Sequence, residues 1–566
     1  MSDRRSYLLV GAAVLAVAAA ARTVPLYWSP LPHVLDGFAH AGAARETLAA
    51  GRLPLGPDLR ADLLVVTVLT ATASLVVGEA PLDTIQPALS LAGAAVPLVG
   101  VAFTRRLGAD LGWPARRVRA AALACGLLLA VQGLFLRHTS IPDPEPLGQL
   151  FAFLAVLSLH RLLTGGSRRW AVPLAALLGL FPVLHTFSTL NAALGLTALV
   201  GAELARRPTR RTAVVGGGVV AAFWALVAGY YGVVGRLGVL SVAYTGRVRS
   251  HPGLFLAWVV VLVVGVGWYQ LVATRTRRAV LAGPFALLFA LVGVNAVRPV
   301  FPGTIPSPPA VVALVALLAV PAAFTGHGLF ALDRHRQTAS VVTATLAAPL
   351  ALVLFALTAD LTPEFFATAI RGQAFLHVPV FVLVGLSAAA VAGRTGGLAR
   401  RRGVRAALLA ALAVATLATA PLAFVALDTL EYPATTPESE FAAVGHASTH
   451  TAGGWTTDHG PTRVGRTTFG ADAGVGPTRT WLRGGPPPAC PMLSFAGWTT
   501  DGATFWPAAP ATTDRTRYRA TLDGRNVVYT VDGRKAATLS LPRDGGECGG
   551  TDAPTVLGAR PSGIRR

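Results

Sequence analysis

Apolar runs of about 17 to 25 residues recur from Tyr7 to Ala426, each long enough to cross roughly 30 Å of hydrocarbon as a helix. A chain built this way takes the bilayer as its main solvent. Only 13% of its 566 residues are charged and 53% are hydrophobic, whereas soluble domains are about a quarter charged. Thirteen spans are predicted: 7–23, 84–103, 120–136, 147–164, 171–187, 189–205, 212–233, 253–272, 279–297, 308–331, 338–358, 374–392 and 405–426. Tyr7 to Ala21, behind Arg4 and Arg5, has the outline of a secretory signal with a small-residue step at Ala18 to Ala20. The dozen further spans make a retained first helix the simpler reading.

A net charge of +21 would point a soluble chain toward nucleic acid. Here the arginines sit in short clusters between apolar runs, which is a topology signal and excludes a nucleic-acid patch. Arg4/Arg5, Arg105/Arg106 with Arg116/Arg117/Arg119, Arg168/Arg169, Arg206/Arg207/Arg210/Arg211, Arg275/Arg277/Arg278, Arg334/Arg336 and Arg400/Arg401/Arg402/Arg405 all fall on one side of the thirteen spans. By the positive-inside rule that side is the cytoplasm, so the N-terminus is inside and the C-terminus outside a multi-pass cell-membrane protein. The apolar stretch Leu63 to Val77 cannot then be a span, since counting it would invert every later cluster; it is expected to lie in or dip into the outer interface. The first outer loop therefore runs from 22 to 83 and holds a helix-like stretch from Gly37 to Ala50. Long ordered loops tend to be functional.

Past Ala426 the composition turns to Gly, Thr, Pro, Asp and Arg, so 427–566 is expected to be a separate aqueous domain on the outer side. Asn526 to Val531 followed by Asp532-Gly533 reads as a strand entering a tight turn. Cys490 and Cys548 both lie in this tail and could pair as a disulfide, or remain two thiols; Cys125 lies inside an apolar run.

Acidic residues are scarce among the spans, which makes those at the membrane edges informative. Asp36 stands in Leu35-Asp36-Gly37-Phe38-Ala39-His40, in the first outer loop. Asp143 and Glu145 form an acidic step in Ile141-Pro142-Asp143-Pro144-Glu145-Pro146, in the second, where prolines favour an extended turn. All three carboxylates face the same outer surface. That suits either metal coordination by hard oxygen ligands, with Mg or Mn as the candidate ions, or general-base work with orientation of an acceptor. Taken singly, Asp36 could be a helix N-cap and the acidic step a solvated turn. Arg371 and Arg137 lie on the outer side, where the positive-inside rule does not ask for arginine; each could bind a phosphate bidentately or snorkel to headgroups. His185 and His40 are further candidates at that surface. No zinc signature, phosphate-binding Gly-Lys loop or nucleophile elbow is present.

This order of parts resembles the GT-C class of membrane glycosyltransferases that use lipid-linked sugars, including the catalytic subunit of oligosaccharyltransferase and the archaeal dolichol-phosphate-mannose mannosyltransferases. Asp36 matches the class's first-loop aspartate, Asp143-Pro144-Glu145 its second-loop acidic step, and Arg371 is similar in placement to its lipid-phosphate arginine. The tail departs from oligosaccharyltransferase. Where a Trp-Trp-Asp-Tyr-Gly string is expected, it has Gly454-Trp455-Thr456-Thr457-Asp458-His459-Gly460.

The resemblance implies an all-α polytopic membrane domain over 1–426 and a small mixed or β-rich extracytoplasmic domain over 427–566. It also implies transfer of a sugar, mannose by best match, from a dolichyl- or polyprenyl-phosphate carrier to a surface glycoprotein or lipid-linked glycan. Asp36 would be the base; Arg371, helped by Arg137, would bind the lipid phosphate; Asp143 and Glu145 would orient the acceptor or, with Asp36, hold a cation. En bloc transfer of an oligosaccharide is an alternative. A secondary transporter is another, which predicts an inverted repeat and midplane charges not visible here.

Overall fold

The computed structural model describes residues 2–548 except 56–58, 166, 239, 241–244, 303, 333–334, 394–401, 426–434, 506–507, 534 and 547. Arg334, Arg400, Arg401 and the junction at 426/427 lie outside the described residues. Among those described, eleven helices are long and apolar enough to cross a bilayer, or twelve if one bent pair counts as a single span. The chain is a multi-pass membrane protein, mostly helical, with a small sheet near its C-terminal end.

The shortfall from thirteen has a local cause. The run 171–187 is helical only over Ala171–Leu184, 14 residues, or about 21 Å of rise. His185 then takes an extended conformation (φ −170°, ψ 116°) and the next helix begins at once, Thr186–Arg206. A second departure from a straight span is the 70° bend between Ala115–Val131 and Gly133–Thr139. There Gln132 is extended and its side chain caps the second piece, accepting from the Phe135 N–H at 2.6 Å.

Successive helices alternate between two faces, and contacts at their ends show it. Arg206 donates to the carbonyl of Arg336, and Arg336 to that of Asp110, whose carboxylate accepts from the Thr338 N–H at 2.8 Å. Arg211 reaches the carbonyl of Leu162, Arg277 that of Leu332, and Arg105 lies 4.3 Å from the Tyr7 ring centroid. These five arginines, from four of the clusters, thus gather with the N-terminal helix at one face. Six helices form the buried interior: Pro81–Asp110, Ala115–Val131, Glu145–Thr164, Thr186–Arg206, Ala339–Thr358 and Pro363–Ala392. Pro252–Leu271 and Thr274–Val297 leave most of their apolar side chains uncovered by protein, as surfaces in contact with lipid do.

At the opposite face the first loop folds as two helices, Leu35–Ala50 and Leu64–Val77. The second is the apolar stretch excluded as a span; its 14 residues pack on Leu35–Ala50, Pro81–Asp110 and Ala171–Leu184. Over this face sits the tail. Its strands are β1 Trp455–Thr456, β2 Ala473–Gly474, β3 Met492–Phe495, β4 Ala503–Phe505, β5 Ala508–Ala511, β6 Arg525–Val531 and β7 Ala537–Pro542. Five form one sheet in the order β2-β1-β3-β7-β6, with β1 parallel to both neighbours and the other pairs antiparallel. β6 enters the anticipated turn, where Gly533 takes φ 136°.

The tail core of Trp455, Trp481, Trp498, Met492 and Leu539 also takes in Leu31 and Phe38 from the first loop, and Phe38 lies 6.0 Å from Phe441 between ring centroids. Tail and loop therefore share apolar burial. Cys490 and Cys548 are bonded, and Cys125 is a buried thiol. Because the bridge spans a sequence separation of 58, chain-entropy reasoning assigns it about 4 kcal/mol. Cys490→Ser should lower the tail's melting temperature and speed its proteolysis in the full-length protein, measured by limited trypsin digestion; unchanged digestion would show that the bridge adds nothing.

Candidate functional site

The acidic step is not a solvated turn. Pro144 precedes the helix Glu145–Thr164, so Glu145 is its first residue, and Asp143 folds back to accept the Glu145 N–H at 2.9 Å. Asp143 is 4% exposed and Glu145 0%. Two carboxylates buried this far need compensating charge, and Arg371, from the helix Pro363–Ala392, supplies it. Its Nη2 lies 3.6 Å from Asp143 Oδ2 and its Nη1 3.6 Å from Glu145 Oε2. Nη1 also donates to His185 Nε2 at 2.9 Å. His138 stands 3.4 Å from Glu145 Oε1, and Gln149 donates to the same oxygen at 3.3 Å. Burial raises the Asp143 carboxyl, but the Arg371 guanidinium outweighs it and holds the group below the usual carboxylate range.

Asp36 arrives from the other side of the site. The helix it belongs to starts at Leu35 with Val34 as N-cap, so Asp36 lies in the first turn and is not the cap. Gly37 allows the approach: a Cβ there would come within 2.6 Å of Pro142 Cγ in the acidic loop. Arg463, on the tail helix His459–Phe469, donates directly to Asp36 Oδ1. Burial pushes the Asp36 carboxyl up, but Arg463 first, then His40, Arg371 and Arg60, bring it down to about 2. His40, one turn on, is buried and pulled toward the neutral form by that burial against the pull of Asp143 and Asp36.

These groups open on a cavity of 1220 Å³ between the membrane helices and the tail. Asp36, Glu145, Arg137, His138 and Arg371 line its membrane side; Leu134, Ile141, Val311, Phe366 and Ile370 give it an apolar flank. The tail contributes Glu440, Asp458, His459, Arg463 and Lys535. Arg137 lines the cavity while its Nη1 donates to the carbonyls of Leu422 and Val425, both at 3.1 Å, so it also ties down the chain that leads into the tail. Burial, with Glu440 nearby, pushes the Asp458 carboxyl up to about 6, against Lys535 and the Thr504 N–H that donates to it at 3.1 Å.

Of the seven candidate residues from the sequence, Asp36, Arg137, Glu145 and Arg371 line the cavity, Asp143 and His185 lie against Arg371, and His40 is buried one turn from Asp36. Sequence reasoning missed Arg463, His138, Asp458 and Asp62. Asp62, an acid in the first outer loop, carried the same signal as Asp36; Arg463 carried none, being one of many tail arginines. Among the described residues no group of three or more His, Cys, Asp or Glu could hold a metal ion. Guanidinium groups stand against all three carboxylates, so this arrangement does not fit the cation site considered for Asp36, Asp143 and Glu145.

The fold is GT-C-like, by its likeness to solved structures. The chain is similar in structure to the oligosaccharyltransferase of Archaeoglobus fulgidus in its apo form, with 12% identity and a TM-score of 0.53 over 95% of this chain and 75% of that one. Archaeal oligosaccharyltransferase AglB from Archaeoglobus fulgidus in complex with an inhibitory peptide and a dolichol-phosphate gives a TM-score of 0.51 at 12% identity, over 94% and 74% of the two chains. The Archaeoglobus fulgidus oligosaccharyltransferase tethered with an acceptor peptide containing the NVT sequon gives 0.52 at 12% identity, over 87% and 70%. No protein-family profile and no curated protein sequence matches this chain.

The charge on Asp36 can be read directly. Removing Arg463 takes away its nearest cation, so Arg463→Gln should raise the Asp36 pKa. Carbodiimide labelling followed by peptide mass spectrometry should then find Asp36 reactive at pH 4–5 in the variant and inert in wild type, with Asp458 reactive in both. Equal Asp36 labelling in the two proteins would show that Arg463 does not set its charge.

Proposed function

We propose that this chain is a glycosyltransferase that moves one sugar, which we take to be mannose, from a dolichyl- or polyprenyl-phosphate carrier to a glycan or protein acceptor at the outer membrane face, in protein N-glycosylation. The observation that carries the reading is the guanidinium of Arg371, set against Asp143, Glu145 and His185, in a cavity that also holds Asp36 and has an apolar flank. Such a cavity suits a ligand with a hydrocarbon tail and an anionic head. The dolichol-phosphate and peptide named with the archaeal AglB structure support the same ligand classes.

The reaction is a single displacement. An acceptor hydroxyl oxygen bonds to the anomeric carbon, the bond from that carbon to the phosphate oxygen breaks, and the electron pair leaves with the lipid phosphate. Asp36 takes the hydroxyl proton as its oxygen becomes bonded to carbon. Held near pKa 2 by Arg463, it is ionised at neutral pH, and loosening of that ion pair when the acceptor enters raises its basicity. Arg371, with Arg137 beside the same cavity, stabilises the charge that grows on the departing phosphate. Asp143 and Glu145 hold Arg371 and orient the acceptor. No step is routed through Mg or Mn, because guanidinium groups face the carboxylates that would ligate them.

The extracytoplasmic domain is placed at 427–566, its described residues covering the site from outside the cell with the N-terminus in the cytoplasm; the tail disulfide supports an oxidising location. En bloc transfer to asparagine is the second reading, favoured by Asp458 and His459, which bring the string Gly454 to Gly460 to the cavity wall. Its Trp455 instead lies buried in the tail core at 1% exposure.

In proteoliposomes supplied with dolichyl-phosphate mannose and a glycopeptide acceptor, wild type should extend the glycan by one hexose. Asp36→Asn should lower the rate by about 10²- to 10⁴-fold and Arg371→Ala by at least about 10²-fold. Wild-type rates in Asp36→Asn would overturn the assignment of the base, and addition of a whole oligosaccharide would move the second reading to the front.

A further inference from the structure

Behind Arg371 runs a buried line of hydrogen bonds that the reaction scheme does not use. Asp62, His185, Thr186 and Ser188 are all 0% exposed. Arg371 Nη1 meets His185 Nε2 at 2.9 Å. A guanidinium only donates, so Nε2 must offer its lone pair, and the ring proton sits on Nδ1, which faces Ser188 Oγ at 2.7 Å. An imidazolium there would have no lone pair to offer and would set two cations in contact. The contacts from Arg371 to Asp143 and Glu145 are both 3.6 Å, beyond hydrogen-bond length. The neutral imidazole, at 2.9 Å, therefore helps fix the direction of the guanidinium.

The imidazole is itself held from two sides. Its neighbour Thr186 gives both its N–H, at 3.0 Å, and its hydroxyl, at 2.8 Å, to Asp62 Oδ2. Asp62 is in turn gripped by Arg60, which donates Nε to Oδ1 at 3.0 Å and Nη2 to Oδ2 at 2.9 Å. A carboxylate from the first outer loop thus satisfies the start of the helix Thr186–Arg206 and pins the extended residue before it. Ser188 is pressed against Gly148: a Cβ on that glycine would lie 2.5 Å from Ser188 Cβ. The helix that begins at Glu145 and the one that presents His185 are locked together at this point.

We infer that Asp62, Thr186 and Ser188 are positioning residues that hold His185 as a neutral hydrogen-bond acceptor and so aim Arg371 at the phosphate of the lipid carrier. The inference rests on the reading of Arg371 as the phosphate-binding group. It assigns work to Asp62, 309 positions from Arg371 in the chain, without any contact between Asp62 and the substrate.

The test uses full-length protein in nanodiscs, with dolichyl phosphate and the uncharged alcohol dolichol as probes. Thr186→Val and Ser188→Ala should each weaken dolichyl phosphate binding by about tenfold or more and leave dolichol binding as in wild type, in protein that still unfolds cooperatively. Thr186→Ser, which keeps the hydroxyl, should bind as wild type does. In an Arg371→Gln background, Thr186→Val should add nothing further, since both changes act on one contact. Wild-type affinity for dolichyl phosphate in Thr186→Val and Ser188→Ala, or an undiminished loss in the Arg371→Gln background, would overturn the assignment alone. Equal binding of dolichyl phosphate and dolichol by wild type would instead overturn the underlying reading of Arg371, and this inference with it.

Discussion

The site depends on one unfavourable act, the burial of two carboxylates at the edge of a membrane. Asp143 and Glu145 are almost completely covered, and leaving either without a cation would cost several kcal/mol. Arg371 resolves this from the interior helix Pro363–Ala392. Once it is committed there, the surrounding groups are constrained by it. His185 must be neutral to accept from it, the helix at Ala171–Leu184 must stop where His185 is needed, and the helix at Glu145 must start where its side chain can be met.

The tail belongs to the same electrostatic arrangement. Arg463 brings a second guanidinium to the cavity and pairs with Asp36, while Leu31 and Phe38 of the first loop enter the tail's apolar core. Seating of the tail and the charge state of Asp36 are therefore linked. Loss of the tail would raise the Asp36 pKa and expose the loop residues that the tail core covers. An ion pair between a loop carboxylate and a domain above it also gives the cavity a contact that an incoming acceptor can displace.

Much of this was legible in the sequence, because scarcity makes charge informative in a membrane protein. Asp36, Asp143 and Glu145 stood out among spans nearly free of acid, and Arg371 stood out on the side where arginine is not expected. Loop parity then placed all four at one face, where the structure also has them. Break points were not legible. Hydropathy over 171–187 and 120–136 is continuous, yet one run ends as a helix at Leu184 and the other bends at Gln132, since a hydropathy window registers composition and not the φ and ψ of a single residue. Nor could the window show that Asp36 follows the N-cap instead of forming it. Arg463 was hidden for a different reason. In a tail rich in arginine, only the docking of helix His459–Phe469 on Leu35–Ala50 distinguishes one guanidinium from the rest.

The central claim is that the cavity around Asp36 and Arg371 performs a sugar transfer from a lipid phosphate. Its most direct test is mass spectrometry of surface-protein glycans and lipid carriers from cells with wild-type protein, no protein, or Asp36→Asn at matched abundance. The account predicts glycans one sugar short in both altered strains, together with accumulation of the sugar-charged lipid phosphate. Complete glycans in the Asp36→Asn cells would contradict it.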